Sequence, residues 1–370
     1  MSWALFLEWF IKSLILVLTL LVGFGYLTWY ERRFLARIQV RIGPNRAGPQ
    51  GLMQWMADAV KLIFKEELTP AKVFKIVFFF APIVTMVPSI VIAAVIPWGT
   101  SFELGGRTIN LYLADINVGV IYLMSIASIA VYGIVMAGWS SNNKYAMMGG
   151  LRSSAQMISY ELTLGLMFVT AILMGNSMSL VDIVEAQKGM WFAAYQPVGY
   201  LLFFIATLAE VNRHPFDMPE AEQELTAGYH TEYSGMKFAL FFMAEYQKMI
   251  VVSMIGATLF LGGYLGPFVD QVPLLGPLYL FIKVIVLLGI MIWVRASWPR
   301  IRYDRLMALG WKILIPLSLA VVFITAAGVL LSEMYNPLWM WIMLPVSILA
   351  GLIAVSVVYG SLRRKAYARA

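Results

Sequence analysis

The sequence predicts an all-α, polytopic helical membrane protein, with about nine transmembrane helices and one amphipathic helix at the cytoplasmic interface. Three observations carry that class. Of 370 residues, 61% are hydrophobic and only 13% are charged, and the mean hydropathy is +0.79; a soluble domain carries about 25% charged residues. Apolar runs recur along the whole chain, most of them long enough to cross a hydrocarbon core of roughly 30 Å. The basic residues fall almost entirely on one side of the resulting map.

The runs lie near 5–28, 74–97, 118–139, 156–177, 195–211, 237–264, 275–294, 312–333 and 339–360, the fifth being the shortest. Placing the N-terminus outside puts 22 of the 27 Lys and Arg residues in cytoplasmic segments, three in external segments or the first run, and two, Lys248 and Lys283, inside spans. Positive charge accumulates on the cytoplasmic side of membrane proteins. The map therefore predicts nine spans, an external N-terminus and a cytoplasmic C-terminus, in one membrane domain over 1–370. The net charge of +7 is then a topology signal and does not point to nucleic acid as a partner. Glu8 and Lys12 interrupt the first run, which reads as a retained span and not a cleaved signal peptide.

The chain has no cysteine and two histidines, His214 and His230, both outside the apolar runs. Disulfides and thiolate-held iron–sulfur clusters are excluded. Two histidines at these positions argue against a zinc or bis-histidine haem site as well. Any redox centre is expected on another chain.

The longest cytoplasmic segment covers 30–73. Its "GPNRAGPQG" is too rich in Gly and Pro for regular helix. Residues 52–65 follow as an amphipathic pattern, with Gln54, Asp58, Lys61 and Lys65 on one stripe. Fourteen residues are too few to span, so this segment is expected to lie along the interface.

Charges inside the spans are expensive and mark pairs, water or function. Glu161 is expected in the first turns of the fourth span, Glu210 at the end of the fifth, Glu245 and Lys248 within the sixth and Lys283 within the seventh. Glu245 and Lys248 are three apart and can pair on one helix face. Two readings stand: helix-locking ion pairs, or a proton path of carboxylates joined by water. The acids outnumber the deep bases, which favours the path for Glu161, Glu210 and Glu245. Lys283 fits either.

The loop 212–236 is acidic. Six acids, Glu210, Asp217, Glu220, Glu222, Glu224 and Glu232, fall within 23 residues, and Arg213 is the fixed cation among them before Lys237. Phe216, Met218, Leu225, Tyr229 and Tyr233 are interleaved and favour burial. A half-buried carboxylate cluster facing a cavity fits better than a fully solvated loop.

Long stretches carry a family resemblance: "YERRFLARIQVRIGPNRAGPQG", "ADAVKLIFKEE", "GWSSNNKYAMMGGLRSSAQMISYELTL", "LAEVNRHPFDMPEAEQELTAGYHTEYSGMKFALFFMAEY" and "VRASWPRIRYDRLMALGWK", from about residue 26 to residue 315. Together they resemble the H-type membrane subunits of bacterial NADH:quinone oxidoreductase, the family at the junction of the two arms of respiratory complex I. The resemblance implies a subunit of a proton-pumping translocase in the bacterial cytoplasmic (inner) membrane, with quinone as substrate. Flavin and iron–sulfur clusters are implied on partner subunits. Partners would be the peripheral-arm subunits of the quinone site, small membrane-arm subunits and lipid. By motif position it implies Arg32, Arg41, Asp58 and Arg295 near the quinone cavity. It likewise implies a relay of Glu161, Glu210, Asp217, Glu220, Glu222, Glu224, Glu232 and Glu245. No catalytic side chain and no metal is implied on this chain. Trp55 stands where many relatives carry Pro. The alternatives are the equivalent subunit of a membrane-bound hydrogenase or other related dehydrogenase, and a stand-alone proton-coupled transporter.

Overall fold

The computed structural model describes residues 3–104, 107–218 and 226–367. Among these, eight helices are long and apolar enough to cross a membrane, and a ninth apolar helix is shorter. They are α1 (Trp3–Ile38), α3 (Lys75–Ala93), α4 (Gly119–Ser140), α5 (Lys144–Gly175), α8 (Pro197–Glu210), α9 (Gly235–Phe260), α10 (Leu275–Ser297), α12 (Ile315–Met334) and α13 (Met343–Tyr367). Short helices connect them: α2 (Gln54–Ile63), α6 (Leu180–Ala186), α7 (Phe192–Tyr195) and α11 (Tyr303–Leu309). The ninth is α8, whose 14 residues reach about 21 Å, short of a full crossing. Pro197 opens it at a position where the missing N–H costs nothing.

The bundle is built around α5. In its most apolar stretch 61% of residues are buried, against 11% in α1 and in the last span. It packs on α4, α8 and α12, while α3 packs on α4 and α9. The sequence places the start of this helix near 156, but it begins at Lys144, where the Asn143 side chain accepts the backbone N–H of Tyr145 at 3.0 Å. Ala146, Gly149, Gly150, Ser153, Ser154 and Gln156 are small or polar and yet buried, and Gly149 and Gly150 face neighbouring backbone. A Cβ on Gly149 would lie 2.6 Å from the Cα of Gly228, so this contact requires glycine. Glu161 is consequently at mid-helix, not in the first turns.

α1 also outlasts its apolar run. It continues ten residues past 28 to Ile38, which carries Glu31 and Arg32 on helix and not on loop. α2 docks on it through the Trp55 ring, which lies 5.7 Å from Tyr26 and against Gly25, where a Cβ would meet it at 2.8 Å. On the opposite side of the bundle, Ser101–Leu104 and Arg107–Asn110 form an antiparallel pair of strands, β1 and β2. Nothing in the hydropathy pattern signals it.

Between α11 and α12, Gly310–Leu314 is a π-turn. This turn and α11 grip α5 beside Glu161: Trp311 Nε1 of the turn donates to Ser159 Oγ at 3.2 Å, and Tyr160 Oη donates to the Leu306 carbonyl of α11 at 3.0 Å.

Candidate functional site

Four elements meet at one end of the bundle. α1 contributes Glu31, α9 contributes Glu245 and Lys248, α10 contributes Arg295, and the loop after α8 contributes Arg213. Glu31 is 2% exposed and Arg213 4%. Arg295 binds one carboxylate oxygen of Glu31, Arg213 binds the other, and Arg213 also binds Glu245. The Arg213 guanidinium lies 4.5 Å above the Tyr246 ring. The result is an alternating buried chain, Arg295–Glu31–Arg213–Glu245. Each charge is tolerable because its neighbour has the opposite sign, and removal of one member strands the next.

A second pair lies deeper. Lys248 Nζ donates to Glu210 Oε1 at 2.6 Å and to the Glu210 carbonyl at 3.0 Å. The helix-face pairing of Glu245 with Lys248 does not form. One turn apart on α9, the two point to different partners: α8 brings Glu210 to Lys248, and the loop brings Arg213 to Glu245. The other carboxylate oxygen of Glu210 is buried with no partner.

Glu161 differs from both. It accepts a hydrogen bond from Ser128 of α4 and has no ion pair among the described residues. Among the deep groups, Glu31, Glu245, Glu210 and Glu161 face three cations, Arg213, Arg295 and Lys248. The uncompensated carboxylate is therefore at the far end of the series.

Two cavities join these groups. One of about 40 Å³ is lined by Glu161, Glu210 and Lys248, with Thr85, Ser89 and Thr207 among apolar side chains. The other, of about 30 Å³, is lined by Glu245, Lys248, Asn212, Tyr229 and His230. Lys248, Thr85 and Ala130 line both. Each has room for about two or three waters, and polar walls to hold them. The polar groups from Glu245 to Glu161 thus line adjoining water-sized spaces.

The loop is fixed from below by Gln156 of α5, itself fully buried. Its Nε2 donates to the carbonyls of Ala209 at 2.9 Å and Phe216 at 2.8 Å. That clamps the end of α8, next to Glu210, to the residue before Asp217. Phe216, Met218, Tyr229 and Tyr233 are buried, and the Tyr233 ring stacks on Phe78 at 4.0 Å. Arg300 donates to the Asp217 carbonyl at 3.0 Å. Burial holds His214 below the ordinary histidine range; Asp217 opposes that shift and Arg300 adds to it.

The remaining candidates separate. Arg32 and Asp58 pair at 2.6 Å across α1 and α2, with Gln54 Nε2 on the other Asp58 oxygen at 3.1 Å. Arg295 belongs to the buried chain, not to this surface pair. Arg41 is apart from both: it is exposed beyond the end of α1 and donates to Gln39 at 2.7 Å. Glu232 accepts from Asn143 Nδ2 at 2.7 Å, joining the loop to the start of α5. Glu220, Glu222, Glu224 and Leu225 lie outside the described residues. Lys283 is a helix cap: its ammonium donates to the carbonyls of Leu261, Gly263 and Leu265, each at 2.8 Å, just past the end of α9.

Sequence reasoning missed Glu31. It follows the apolar run and sits between Tyr30 and Arg32, so it reads as a solvated loop acid. The signal was periodicity: Leu16, Leu20, Leu27 and Glu31 share one buried helix face.

Residues 11–326 match the family model described as NADH dehydrogenase. The chain is 50% identical over 325 residues to an H-type subunit of the NADH-quinone oxidoreductase of Syntrophobacter fumaroxidans, covering 88% of this chain and 97% of that one. It is 47% identical over 341 residues to an H-type subunit of the Geobacter metallireducens enzyme, covering 89% and 97%. It is 49% identical over 302 residues to the corresponding subunit of Protochlamydia amoebophila, covering 82% and 91%.

Proposed function

The chain belongs to the NADH dehydrogenase family of membrane subunits, and from that premise we propose how it serves a quinone-reducing, proton-translocating complex. It is a multi-pass membrane subunit of an NADH:quinone oxidoreductase and performs no redox step by itself. Its own residues supply part of the quinone cavity and the path by which quinone reduction is felt in the membrane. Flavin and iron–sulfur centres belong to partner subunits, in keeping with a chain that has no cysteine. Arg32, Asp58 and the acidic loop lie at the cytoplasmic face of the inner membrane, with the N-terminus outside, a reading supported by the basic bias of the sequence.

Reduction of a quinone to a quinol takes up two electrons and two protons. At the cytoplasmic edge, the negative charge that develops attracts the guanidinium groups of Arg32 and Arg295. Any pull on Arg295 loosens its hold on Glu31, and Glu31 in turn holds Arg213. Arg213 drawn toward Glu31 leaves Glu245 a buried carboxylate with no cation, and such a group takes a proton. The two cavities then carry the disturbance past Lys248 and Glu210 to Glu161. Asp217 and Glu232, with Glu220, Glu222 and Glu224, are the loop acids that supply protons.

The observation that carries this reading is the buried chain Arg295–Glu31–Arg213–Glu245, joined by two cavities to Glu210 and to Glu161, which has no ion pair among the described residues. A stand-alone transporter would need helices broken at mid-membrane, whereas α5 and α9 run unbroken past both cavities. The test is Glu210→Gln in the assembled complex. NADH-driven quinone reduction should fall by about tenfold or more, the scale of losing a positioned proton-exchanging group. Full activity with normal assembly would sink the relay role.

A further inference from the structure

The relay does not account for His230. It closes the short turn Gly228–His230, after the acidic loop and before α9. The residue is 9% exposed, and its ring packs against Tyr229, Phe241 and Phe238, with centroids at 3.8, 5.4 and 5.7 Å. A phenylalanine would satisfy those three contacts. Yet Nδ1 is enclosed with no protein hydrogen-bond partner, and an unsatisfied buried nitrogen costs about 1–3 kcal/mol.

Water in the cavity of about 30 Å³ that His230 lines would remove that cost. His230 forms one wall, and Glu245, Lys248 and Asn212 are other polar walls. Water in a space of that size needs about three polar partners, and these side chains supply them. Burial also presses the imidazole down to about 3, so at neutral pH it is an uncharged donor and acceptor. It can hold water without repelling Lys248.

We propose that His230 is a positioning residue that anchors the waters of the Glu245–Lys248 cavity and so links the acidic loop to the buried carboxylates. The inference rests on the relay reading above. It acts through water, not through direct contact with substrate or a reacting atom.

The experiment uses the whole complex in sealed proteoliposomes. His230→Phe, His230→Gln and Glu245→Gln are each compared with the unaltered protein. Quinone reduction and proton movement are recorded together, and NADH oxidation by a water-soluble acceptor gauges assembly. His230→Phe keeps the ring packing and removes both nitrogens, whereas His230→Gln keeps groups that bind water. Quinone-driven proton movement should fall about fivefold in His230→Phe and stay within about twofold in His230→Gln, the scale of one lost hydrogen bond. His230→Leu replaces the Phe variant if that one does not assemble. Full proton movement in His230→Phe, or an equal loss in His230→Gln, would overturn the proposal. If Glu245→Gln also pumps fully, the relay itself is wrong; if Glu245→Gln fails while His230→Phe pumps, only the role of His230 is wrong.

Discussion

Lys248 bonds Glu210 on a neighbouring helix at 2.6 Å, although Glu245 lies one turn away on its own helix. The preference is tertiary. Arg213 has already engaged Glu245, so Lys248 is free for the carboxylate that α8 delivers. Both ions are mostly buried, with side chains 17% and 5% exposed.

Removing one partner leaves an uncompensated buried ion. Lys248→Met and Glu210→Gln should each lower the melting temperature of the complex, because each leaves a buried group without its partner; breaking such pairs costs about 3–5 kcal/mol. The double variant should be less destabilised than the two losses added together, as a double-mutant cycle by thermal unfolding would reveal.

Glu161 makes the opposite prediction. It has no cation to strand, so Glu161→Gln should change stability by no more than about 1 kcal/mol, the scale of one hydrogen bond. Assembly and melting temperature should be near normal while proton movement is impaired. A melting temperature that falls as far as in Lys248→Met would mean that Glu161 is a structural ion-pair member after all.

Glu31 separates Arg213 from Arg295. Glu31→Gln leaves two guanidinium groups facing each other in a site nearly closed to water. Quinone reduction should fall by about tenfold or more, since truncating one member of such a network costs several kcal/mol. Arg32→Ala, by contrast, breaks an exposed pair worth about 0–1 kcal/mol. It should raise the KM for quinone with little effect on stability, and Arg41→Ala, which lies outside both clusters, should change the KM less than Arg32→Ala does.

His230 gives a pH signature. Its folded value near 3 is below the ordinary 6.5 of an exposed histidine, so between these the unfolded chain binds the proton that the folded chain refuses. Stability contributed by this group is whole above pH 6.5 and is lost as pH falls toward 3. At pH 5 the loss is about 2 kcal/mol. His230→Gln should flatten the fall in melting temperature between pH 7 and pH 5; an unchanged slope would refute it.

The spans were legible because hydropathy alone reports lipid contact, and runs of 18 or more apolar residues leave few alternatives. The beginning of α5 was not, because Gly149 and Gly150 are buried by close backbone approach and Ser153 is buried beside them, which hydropathy reads as polarity. Glu161, Glu210 and Glu245 were named from the sequence, but their partners were not. Whether Lys248 meets Glu245 or Glu210 depends on how α8 and α9 cross, and helix periodicity says nothing of that. Glu31 was hidden because α1 outlasts its apolar run by ten residues.

At the centre of the proposed coupling, carboxylates in the Glu245–Glu161 series change protonation when quinone is reduced. Redox-induced infrared difference spectroscopy of the complex reads this directly. A carboxylic C=O stretch should appear or vanish on quinone reduction, shift in D₂O, and be altered in Glu161→Gln or Glu245→Gln. Difference spectra of both variants identical to that of the unaltered complex in the carboxylic region would contradict it.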